Sequence, residues 1–523
     1  MLLLEANQLE LYIKDRLLIN IEKLQIHQND QIGLVGRNGS GKTTLLEVIA
    51  VKKHHDSGGM TAYTSCELLP QIKKTDTIKS VGEVTQEYIN KALISHPGIL
   101  LADEPTTNLD TEHIEWLEKK LANWQGAFVL VSHDRAFLDA LCTTIWEVNE
   151  GKITAYKGNY SEYAEKKELE HKQHEAAYEK YEKKKRQLEE ALVLKEKKAA
   201  RATKAPKNLS SSEARITGAK PYFAKKQKKL QQTAKAIETR LEKLEKVEKL
   251  KELPDIQMNL PNEETVIGKI VIRVEDVKGV IGNRILWHNA SFSVRGGDKL
   301  AIIGSNGSGK TTLIKKIINR EEGISVSPSI KVGYFSQNID ILNTEKTIIE
   351  NVSSTSKQTE TFIRTVLARL HFFREDVYKK VGVLSGGERV KVALAKLFVS
   401  DVNTLILDEP TNFLDIEAVE ALESLLQSYP GTIVFVSHDR RFIEKISTRV
   451  LEIKESEIHL FDGTYRNYKQ YVPREKRDDL EDEMLILETK ISEVLSRLSL
   501  EPSEKLEREF QTLLAKKRKM KQE

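Results

Sequence analysis

GRNGSGKTT, from Gly36 to Thr44, and GSNGSGKTT, from Gly304 to Thr312, are nearly identical and both match the pattern G-x-x-x-x-G-K-[ST]. Each follows a short apolar run, QIGLV or LAIIG, and precedes helix-like sequence, LLEVIA or LIKKII. In this context backbone N–H groups wrap phosphates, the lysine adds a positive charge and a threonine hydroxyl holds Mg²⁺. The pattern therefore predicts two phosphate-binding loops. The residues predicted to contact the ligand are Gly36, Arg37, Asn38, Gly39, Ser40, Gly41, Lys42, Thr43, Thr44, Gly304, Ser305, Asn306, Gly307, Ser308, Gly309, Lys310, Thr311 and Thr312.

Two later stretches, ILLADEP (Ile99–Pro105) and TLILDEP (Thr404–Pro410), are apolar strands that end in an acidic pair. The first acid of each pair is expected to hold Mg²⁺ with a loop threonine, and the second to orient or deprotonate the attacking water. The predicted Mg²⁺ ligands are Thr43, Asp103, Thr311 and Asp408, and the predicted catalytic acids are Glu104 and Glu409. TNLD or TNFLD follows each acidic pair, and VSHDR recurs farther along each copy.

The spacing of these motifs indicates an internal duplication. Gly36 and Gly304 are offset by 268 residues and Gln71 and Gln337 by 266, whereas Asp103 and Asp408 are offset by 305, as are the two VSHDR stretches. The copies therefore differ by one insertion of about 39 residues, which falls between a glutamine and a serine shared by both copies. One α/β domain occurs twice in the chain.

The order of motifs resembles the ATP-binding cassette (ABC) ATPases over roughly residues 1–163 and 265–470. This resemblance implies two cassettes packed head-to-tail, with each ATP between the phosphate loop of one cassette and the signature loop of the other. It implies that the switch histidines His133 and His438 are catalytic. It also adds nucleotide contacts from the Q-loops and from the signature loops KSVGE and LSGGE: Gln71, Gln337, Ser80, Gly82, Ser385, Gly386 and Gly387.

Three departures from the family pattern distinguish the copies. Val81 stands in the first signature where the second copy has a glycine, and its Cβ could crowd the γ-phosphate, so we predict unequal ATP sites. The insertion is absent from the first cassette, so we expect this cassette to lack most of its helical subdomain. Tyr12 is the candidate for stacking on adenine, but Val280 occupies the equivalent region of the second copy.

The segment between the copies, Glu165 to Glu252, is rich in Lys, Glu, Gln, Ala and Leu. We predict an antiparallel helical hairpin with one arm from Glu165 to about Thr203 and another from about Ala219 to Glu252. Leu241, Leu244, Val247 and Leu250 would form one side of a thin apolar seam, and Tyr178, Tyr181, Leu188 and Leu192 the other. The competing interpretation is a disordered charged linker.

The hairpin tip, about 204–220, contains helix-breaking Pro, Ser and Gly residues within a basic region. Between Lys195 and Lys235 there are 13 Lys and Arg against two acids, a net +11, which leaves −7 for the rest of the +4 chain. This asymmetry predicts a polyanionic partner, with solvated surface as the alternative. Tyr222 and Phe223 would stack on bases or pack in the seam. The predicted tip contacts are Lys204, Lys207, Ser211, Ser212, Arg215, Lys220, Tyr222 and Phe223.

Two cassettes in one chain, joined by a charged linker, resemble the ABC-F family, and the truncated first cassette and long hairpin resemble its Vga-type antibiotic-resistance members. This resemblance implies binding of ATP and Mg²⁺, and binding to the E site of the 70S ribosome with contacts to 23S rRNA and P-site tRNA. It further implies a linker tip near the peptidyl-transferase centre and protection against lincosamides, pleuromutilins and streptogramin A.

The predicted fold class is α/β, with two tandem ABC-type P-loop ATPase domains, a long helical hairpin linker and a C-terminal helical extension. The predicted domains are 1–163, 164–254, 255–470 and 471–523. We read the extension as two short helices that contact either the ribosome or their own cassette.

The cysteine content favours a cytoplasmic protein, and we expect a monomer in which the two cassettes close on each other. The two cysteines have no metal-ligand spacing, and neither a membrane-length apolar run nor a signal peptide is expected. Two other functions remain open at this stage: a housekeeping translation factor of the same family, and the ATPase subunit of a transporter.

Overall fold

A computed structural model describes residues 1–13, 15–71, 81–107, 109–201, 219–247, 267–336 and 341–470, with a few positions between 491 and 517. The chain divides into two compact units, Met1–Leu460 and Phe461–Glu523. The first unit holds both cassettes and the linker. Within the described residues no helix is long and apolar enough to cross a membrane.

The first cassette is built on a six-stranded sheet in the order β5-β6-β7-β3-β8-β9, parallel except for β9. Its central strands are continuous apolar runs, typical of a parallel sheet buried on both faces. A separate antiparallel sheet, β2-β1-β4, packs into the same core. The elements are β1 Leu2–Ile13, β2 Arg16–His27, β3 Gln31–Gly36, α1 Lys42–Ile49, β4 Ser57–Ala62, β5 Cys66–Leu69, α2 Val81–Ile94, β6 Ile99–Asp103, α3 Thr111–Ala122, β7 Ala127–Val131, α4 Arg135–Leu141, β8 Thr144–Asn149 and β9 Lys152–Lys157.

The second cassette repeats this plan with the sheets β14-β15-β16-β12-β17-β18 and β11-β10-β13. Its elements are β10 Ile270–Ile281, β11 Arg284–Arg295, β12 Lys299–Gly304, α7 Lys310–Asn319, β13 Ile324–Val326, β14 Val332–Phe335, α8 Ile348–Ser353, α9 Glu360–Arg369, α10 Gly386–Val399, β15 Thr404–Asp408, α11 Ile416–Ser428, β16 Thr432–Val436, α12 Arg440–Ile446, β17 Arg449–Lys454 and β18 Glu457–Phe461. The matching strand orders confirm the predicted α/β fold with tandem cassettes.

The insertion in the second cassette forms a small helical layer before α10. It contains α8, α9 and two 3₁₀ turns, Arg374–Tyr378 and Val381–Val383. Thr347 and Thr359 begin α8 and α9 as side-chain caps, which satisfies N–H groups that have no partner inside the helix. In the first cassette only nine residues lie between Gln71 and α2, and those nine lie outside the described residues.

The linker contains two long helices, α5 (Tyr160–Arg201) and α6 (Ala219–Glu242), which pack against each other. At 1.5 Å per residue, α5 spans about 60 Å and α6 about 36 Å. The hairpin is therefore confirmed, but its second helix ends ten residues before the predicted Glu252. Its final turn tightens, since the N–H of Leu244 bonds to the carbonyl of Leu241 three residues back.

The seam between the helices has a regular 3-4 spacing, which is the coiled-coil pattern. The half-buried or buried positions that follow this spacing are 178, 181, 185, 188, 192, 195 and 199 on α5, and 227, 230, 234, 237, 241 and 244 on the second arm. Of the predicted seam residues, Leu250 lies outside the described residues, and the others are half-buried. Most other positions on both helices are exposed, so the hairpin presents a charged surface.

In the second compact unit, α13 runs from Tyr465 to Gln470. The ring of Tyr468 contacts those of Phe461 and Tyr465. The predicted C-terminal extension, 471–523, lies outside the described residues apart from a few helical positions.

Candidate functional site

A cavity of about 960 Å³ lies between the two cassettes. Both phosphate loops line it, together with both acidic pairs, both VSHDR histidines and the second signature loop. The phosphate-loop residues on its wall are Asn38, Gly39, Gly41, Lys42, Thr43, Thr44, Asn306, Gly307, Gly309, Lys310, Thr311 and Thr312. The remaining predicted loop residues, Gly36, Arg37, Ser40, Gly304, Ser305 and Ser308, do not line it.

The last position of each phosphate loop accepts only glycine. Gly41 and Gly309 have φ of 101° and 103°, a left-handed conformation that a Cβ disfavours. A Cβ on Gly309 would also lie 2.4 Å from the ring of Trp287, a fully buried core residue. Helices α1 and α7 begin directly after these glycines, so their N-terminal N–H groups point toward the cavity, where the helix dipole favours phosphate.

The loop lysines are buried and held by the loop backbone. Lys42 Nζ donates to the carbonyls of Gly36 and Arg37 at 2.6 and 3.0 Å. Lys310 Nζ makes the matching bonds at 2.9 and 3.0 Å. Burial lowers the pKa of both lysines, although nearby carboxyl groups oppose the shift. A triphosphate would replace a carbonyl bond with an ionic one.

The second acid of each pair contacts the histidine of VSHDR. The Oε1–Nε2 distance is 3.3 Å both for Glu104 with His133 and for Glu409 with His438. Burial lowers the pKa of both histidines to about 3, so both imidazoles are neutral. Both glutamates have a positive φ, 51° and 53°, a strained backbone of the kind found at functional sites.

Burial also shifts the glutamates themselves. It raises the pKa of Glu104 to about 8 and that of Glu409 to about 7, although the nearby loop lysine opposes each shift. A carboxyl group that titrates near neutral pH is suited to accept a proton from water. The repeated Glu–His pair can therefore orient and deprotonate a water molecule at each phosphate loop.

The remaining oxygens suit a divalent cation. Thr311 Oγ1 donates to Asp408 Oδ1 at 3.2 Å, which places a hydroxyl and a carboxylate side by side next to Lys310. Among the described residues, the buried Oγ atoms of Ser40 and Ser308 lack a hydrogen-bond partner. Hydroxyl and carboxylate oxygens are the ligands Mg²⁺ prefers. The donor set therefore fits Mg²⁺, which would neutralise phosphate charge when bound, with Thr43 and Asp103 as the matching pair of the first cassette.

The aspartates of TNLD and TNFLD connect each phosphate loop to the opposite cassette. Asp110 accepts from the backbone N–H of Asn306 at 2.8 Å, and Asp415 accepts from that of Asn38 at 3.0 Å. The same aspartates cap α3 and α11, so each helix start is fixed to the opposite phosphate loop. The TNLD and TNFLD motifs are visible in the sequence, but their contact with the opposite phosphate loop is seen only in the structure.

The second signature loop lies against the first phosphate loop. Ser385 caps α10 in a capping box with Glu388. A Cβ on Gly387 would lie 3.1 Å from Asn38 Nδ2 and 2.7 Å from the carbonyl of Phe413. Gly386, the counterpart of Val81, has open space around its Cβ position. This is the juxtaposition that the head-to-tail arrangement requires.

The reciprocal signature is described only in part. Ser80 lies outside the described residues, and Gly82 is described only as part of the backbone of α2. The sites also differ in one cross-cassette contact, because Arg37 Nε donates to Glu417 at 2.8 Å, whereas the second phosphate loop has Ser305 at that position.

The predicted adenine-stacking residue and the Q-loop glutamines take different positions relative to the cavity. Tyr12 does not line the cavity, and its hydroxyl donates to Glu10 at 3.4 Å. Its neighbour Ile13 lines the cavity, as does Ile281 in the second cassette. Neighbouring residues of a strand point to opposite faces, so a shift of one position exchanges the ring for an aliphatic side chain. Gln71 lines the cavity, and Gln337 lies outside the described residues.

A larger set of arginine contacts between cassettes was also missed. Arg135 Nη1 donates to Glu423 at 3.1 Å, and both side chains are almost fully buried, at 2% and 1% exposure. Its repeat equivalent Arg440 pairs with Glu118. The recurrence of VSHDR with its arginine was the sequence signal for these contacts. Sequence alone does not identify the partner glutamates, which lie 288 and 322 residues away.

Comparisons with known proteins agree with this geometry. The ABC transporter family matches residues 19–88 and 287–412. The erythromycin resistance ATP-binding protein MsrA of Staphylococcus epidermidis is 33% identical over 87% of this chain and 98% of its own length. The ribosome protection protein VmlR of Bacillus subtilis (strain 168) is 32% identical over 94% of this chain and 93% of its own.

Among solved structures, an RNase-L inhibitor superposes with a TM-score of 0.58 at 17% identity, covering 88% of this chain and 91% of its own. That likeness supports the tandem-cassette fold. The paired phosphate loops, the composite cavity and relatives above 30% identity lead to one conclusion. The chain is an ATP-binding, ATP-hydrolysing member of the ABC-F family of ATP-binding cassette proteins.

Proposed function

We propose that this protein is a ribosome protection factor that confers antibiotic resistance and whose ATPase cycle controls its attachment to the ribosome. The single observation that carries this proposal is the hairpin of α5 and α6 between the two cassettes, with its charged outer surface. Two relatives support the proposal, because one is named as an erythromycin resistance protein and the other as a ribosome protection protein.

In the proposed cycle, ATP joins the cassettes and favours the bound form. ATP can do so because each site is built from both cassettes, so nucleotide binds the closed state better than the open one. Glu104 and Glu409 then position and deprotonate water, and His133 and His438 hold them in place. Loss of the γ-phosphate removes the shared contacts and releases the protein.

The proposed target is the E site of the 70S ribosome, where the hairpin would lie along P-site tRNA and 23S rRNA. Exposed Lys and Arg on α5 and α6 would contact phosphates without reading sequence. The proposed tip contacts Lys204, Lys207, Ser211, Ser212 and Arg215 lie outside the described residues, and Lys220, Tyr222 and Phe223 fall within the backbone of α6. The tip is proposed to act near the peptidyl-transferase centre.

Drug susceptibility of a sensitive Gram-positive host tests this function. The host would express the full chain, a version with Ser210–Gly218 shortened, or Glu104→Gln/Glu409→Gln. Lincomycin, tiamulin and virginiamycin M represent the proposed drug classes. Erythromycin is a fourth drug, because one relative is named for resistance to it.

The expected result is resistance to the first three drugs that is lost when the tip is shortened. Resistance to erythromycin alone would contradict the three proposed drug classes and indicate that the protein protects against the class of erythromycin instead. No resistance from well-expressed protein would favour a housekeeping translation factor instead.

A further inference from the structure

The helices that follow the two VSHDR motifs differ at two positions that lie beside the linker. The first copy continues as VSHDRAFLDAL and the second as VSHDRRFIEKI, so Arg441 stands where the first cassette has Ala136. Asp139 of α4 likewise has Glu444 as its counterpart. These two departures from the repeat meet each other across the cassette interface.

The guanidinium of Arg441 joins three elements. It pairs with the carboxylate of Asp139 on α4, and its Nη2 donates to Ser161 Oγ on α5 at 2.6 Å. It also lies over the ring of Tyr160, 5.6 Å from the centroid. Helix α12 of the second cassette thus contacts both the first cassette and the first residues of α5.

Asp139 completes this contact from the other side. Its carboxylate accepts from the backbone N–H of Ser161 at 2.7 Å and from the hydroxyl of Ser161 at 2.6 Å. The first N–H groups of a helix lack intrahelical partners, so Asp139 supplies one that the linker helix needs. Arg441 and Ser161 therefore share one carboxylate, the one that caps the first turn of α5.

A second contact holds the same turn to the second cassette. Tyr160 is buried, and burial together with the nearby carboxylate of Glu420 on α11 raises the pKa of its hydroxyl. Helix α11 begins at Asp415, which accepts from the first phosphate loop, and α12 begins two residues after His438. Elements that contact both ATP sites therefore converge on the start of the linker.

We infer that Arg441 is a positioning residue that couples closure of the cassettes to the linker hairpin. Its contacts with Asp139 and Ser161 cross the interface and exist only when the cassettes are together. Opening the cassettes removes them and leaves the first turn of α5 attached only to its own cassette. A ligand can drive such a change because the two states differ in contacts. This coupling is independent of any ribosome contact.

Amide hydrogen exchange tests this inference. The measured quantity is the slowing of exchange on adding ATP, at the start of α5 (Tyr160–Lys167) and at α11 (Ile416–Ser428). The Glu104→Gln/Glu409→Gln background limits hydrolysis during labelling. Arg441→Ala is compared with Arg441→Lys and with Arg440→Ala, which removes a neighbouring cross-cassette pair without touching the linker.

We expect ATP to slow exchange at the start of α5 about tenfold, within the usual range for coupling between sites. Arg441→Ala should abolish this slowing and preserve the slowing at α11. Arg441→Lys should restore part of it, because an ammonium keeps the charge but lacks the planar fork. Arg440→Ala should reduce the ATP-induced slowing of exchange at the start of α5 and at α11 to the same extent. Two results would overturn the inference. Arg441→Ala could leave the slowing at the start of α5 intact, or it could reduce the slowing at α5 and at α11 equally.

Discussion

Glu409→Gln is predicted to change the pH dependence of stability in the nucleotide-free protein. Burial raises the pKa of Glu409 from 4.5 to about 7. Between these values the folded protein keeps a proton that the unfolded chain has released. The carboxyl group therefore stabilises the fold fully below pH 4.5, and that contribution is lost as the pH rises through 7. Glutamine has no proton to lose, so the variant lacks this decline.

The size of the effect follows from the shift. Each pH unit between the two pKa values changes the free energy of unfolding by about 1.4 kcal/mol per group. From pH 5.5 to pH 7 the variant should therefore gain about 2 kcal/mol over wild type. The gain should level off above pH 8, where both folded and unfolded wild-type carboxyl groups are ionised.

Urea denaturation at pH 5.5, 6.5, 7.5 and 8.5 measures this difference. Tryptophan fluorescence is a suitable signal, because the ring of Trp287 is fully buried in the second cassette. Glu322→Gln, at an exposed glutamate of the same cassette, is the matched control and should give a difference that does not vary with pH. A constant difference for Glu409→Gln would refute a protonated buried carboxyl group at this site.

Three further predictions concern contacts between the cassettes. Asp415→Ala removes the acceptor at the first phosphate loop, which lies against the glycine-containing second signature loop, whereas Asp110→Ala removes the acceptor at the second phosphate loop. Because the first site is predicted to carry most of the hydrolysis, losing one such bond should lower the ATPase rate about tenfold for Asp415→Ala and much less for Asp110→Ala; equal losses in a steady-state ATPase assay would argue against unequal sites. Arg135→Ala should destabilise the closed protein by about 3 kcal/mol, at the low end for one partner of a buried pair, because Lys445 remains 2.7 Å from Glu423. Thermal denaturation with ATP measures this effect, and an unchanged melting temperature would contradict it. Val81→Gly should raise hydrolysis at the second phosphate loop, tested in a Glu104→Gln background, and no change would remove the steric argument.

The cassette fold and the location of its ATP sites were accessible from sequence because each depends on local patterns. A phosphate loop needs its glycines at fixed spacing, and a buried parallel strand reads as an apolar run. The repeat then allowed each motif to be checked against its copy. The seam of the hairpin was visible for the same reason, since Tyr178 and Tyr181, Leu188 and Leu192, and Leu241 and Leu244 recur three or four residues apart.

What sequence missed depends on contacts between distant segments or on a single step of register. Asp110 and Asn306 are 196 residues apart, so their hydrogen bond follows only from the packing of the two cassettes. The aromatic ring of Tyr12 predicts stacking on adenine, but strand alternation places Ile13, and not Tyr12, on the cavity wall. The apolar period of the second arm continues to Val247, although regular helix ends at Glu242.

Co-sedimentation of Glu104→Gln/Glu409→Gln with 70S ribosomes, in the presence of ATP or ADP, tests the proposed cycle most directly. The variant should remain on ribosomes with ATP and be released with ADP, whereas wild type should dissociate in both. Rapid release of the variant in ATP would contradict the proposal that hydrolysis by these two glutamates ends ribosome binding.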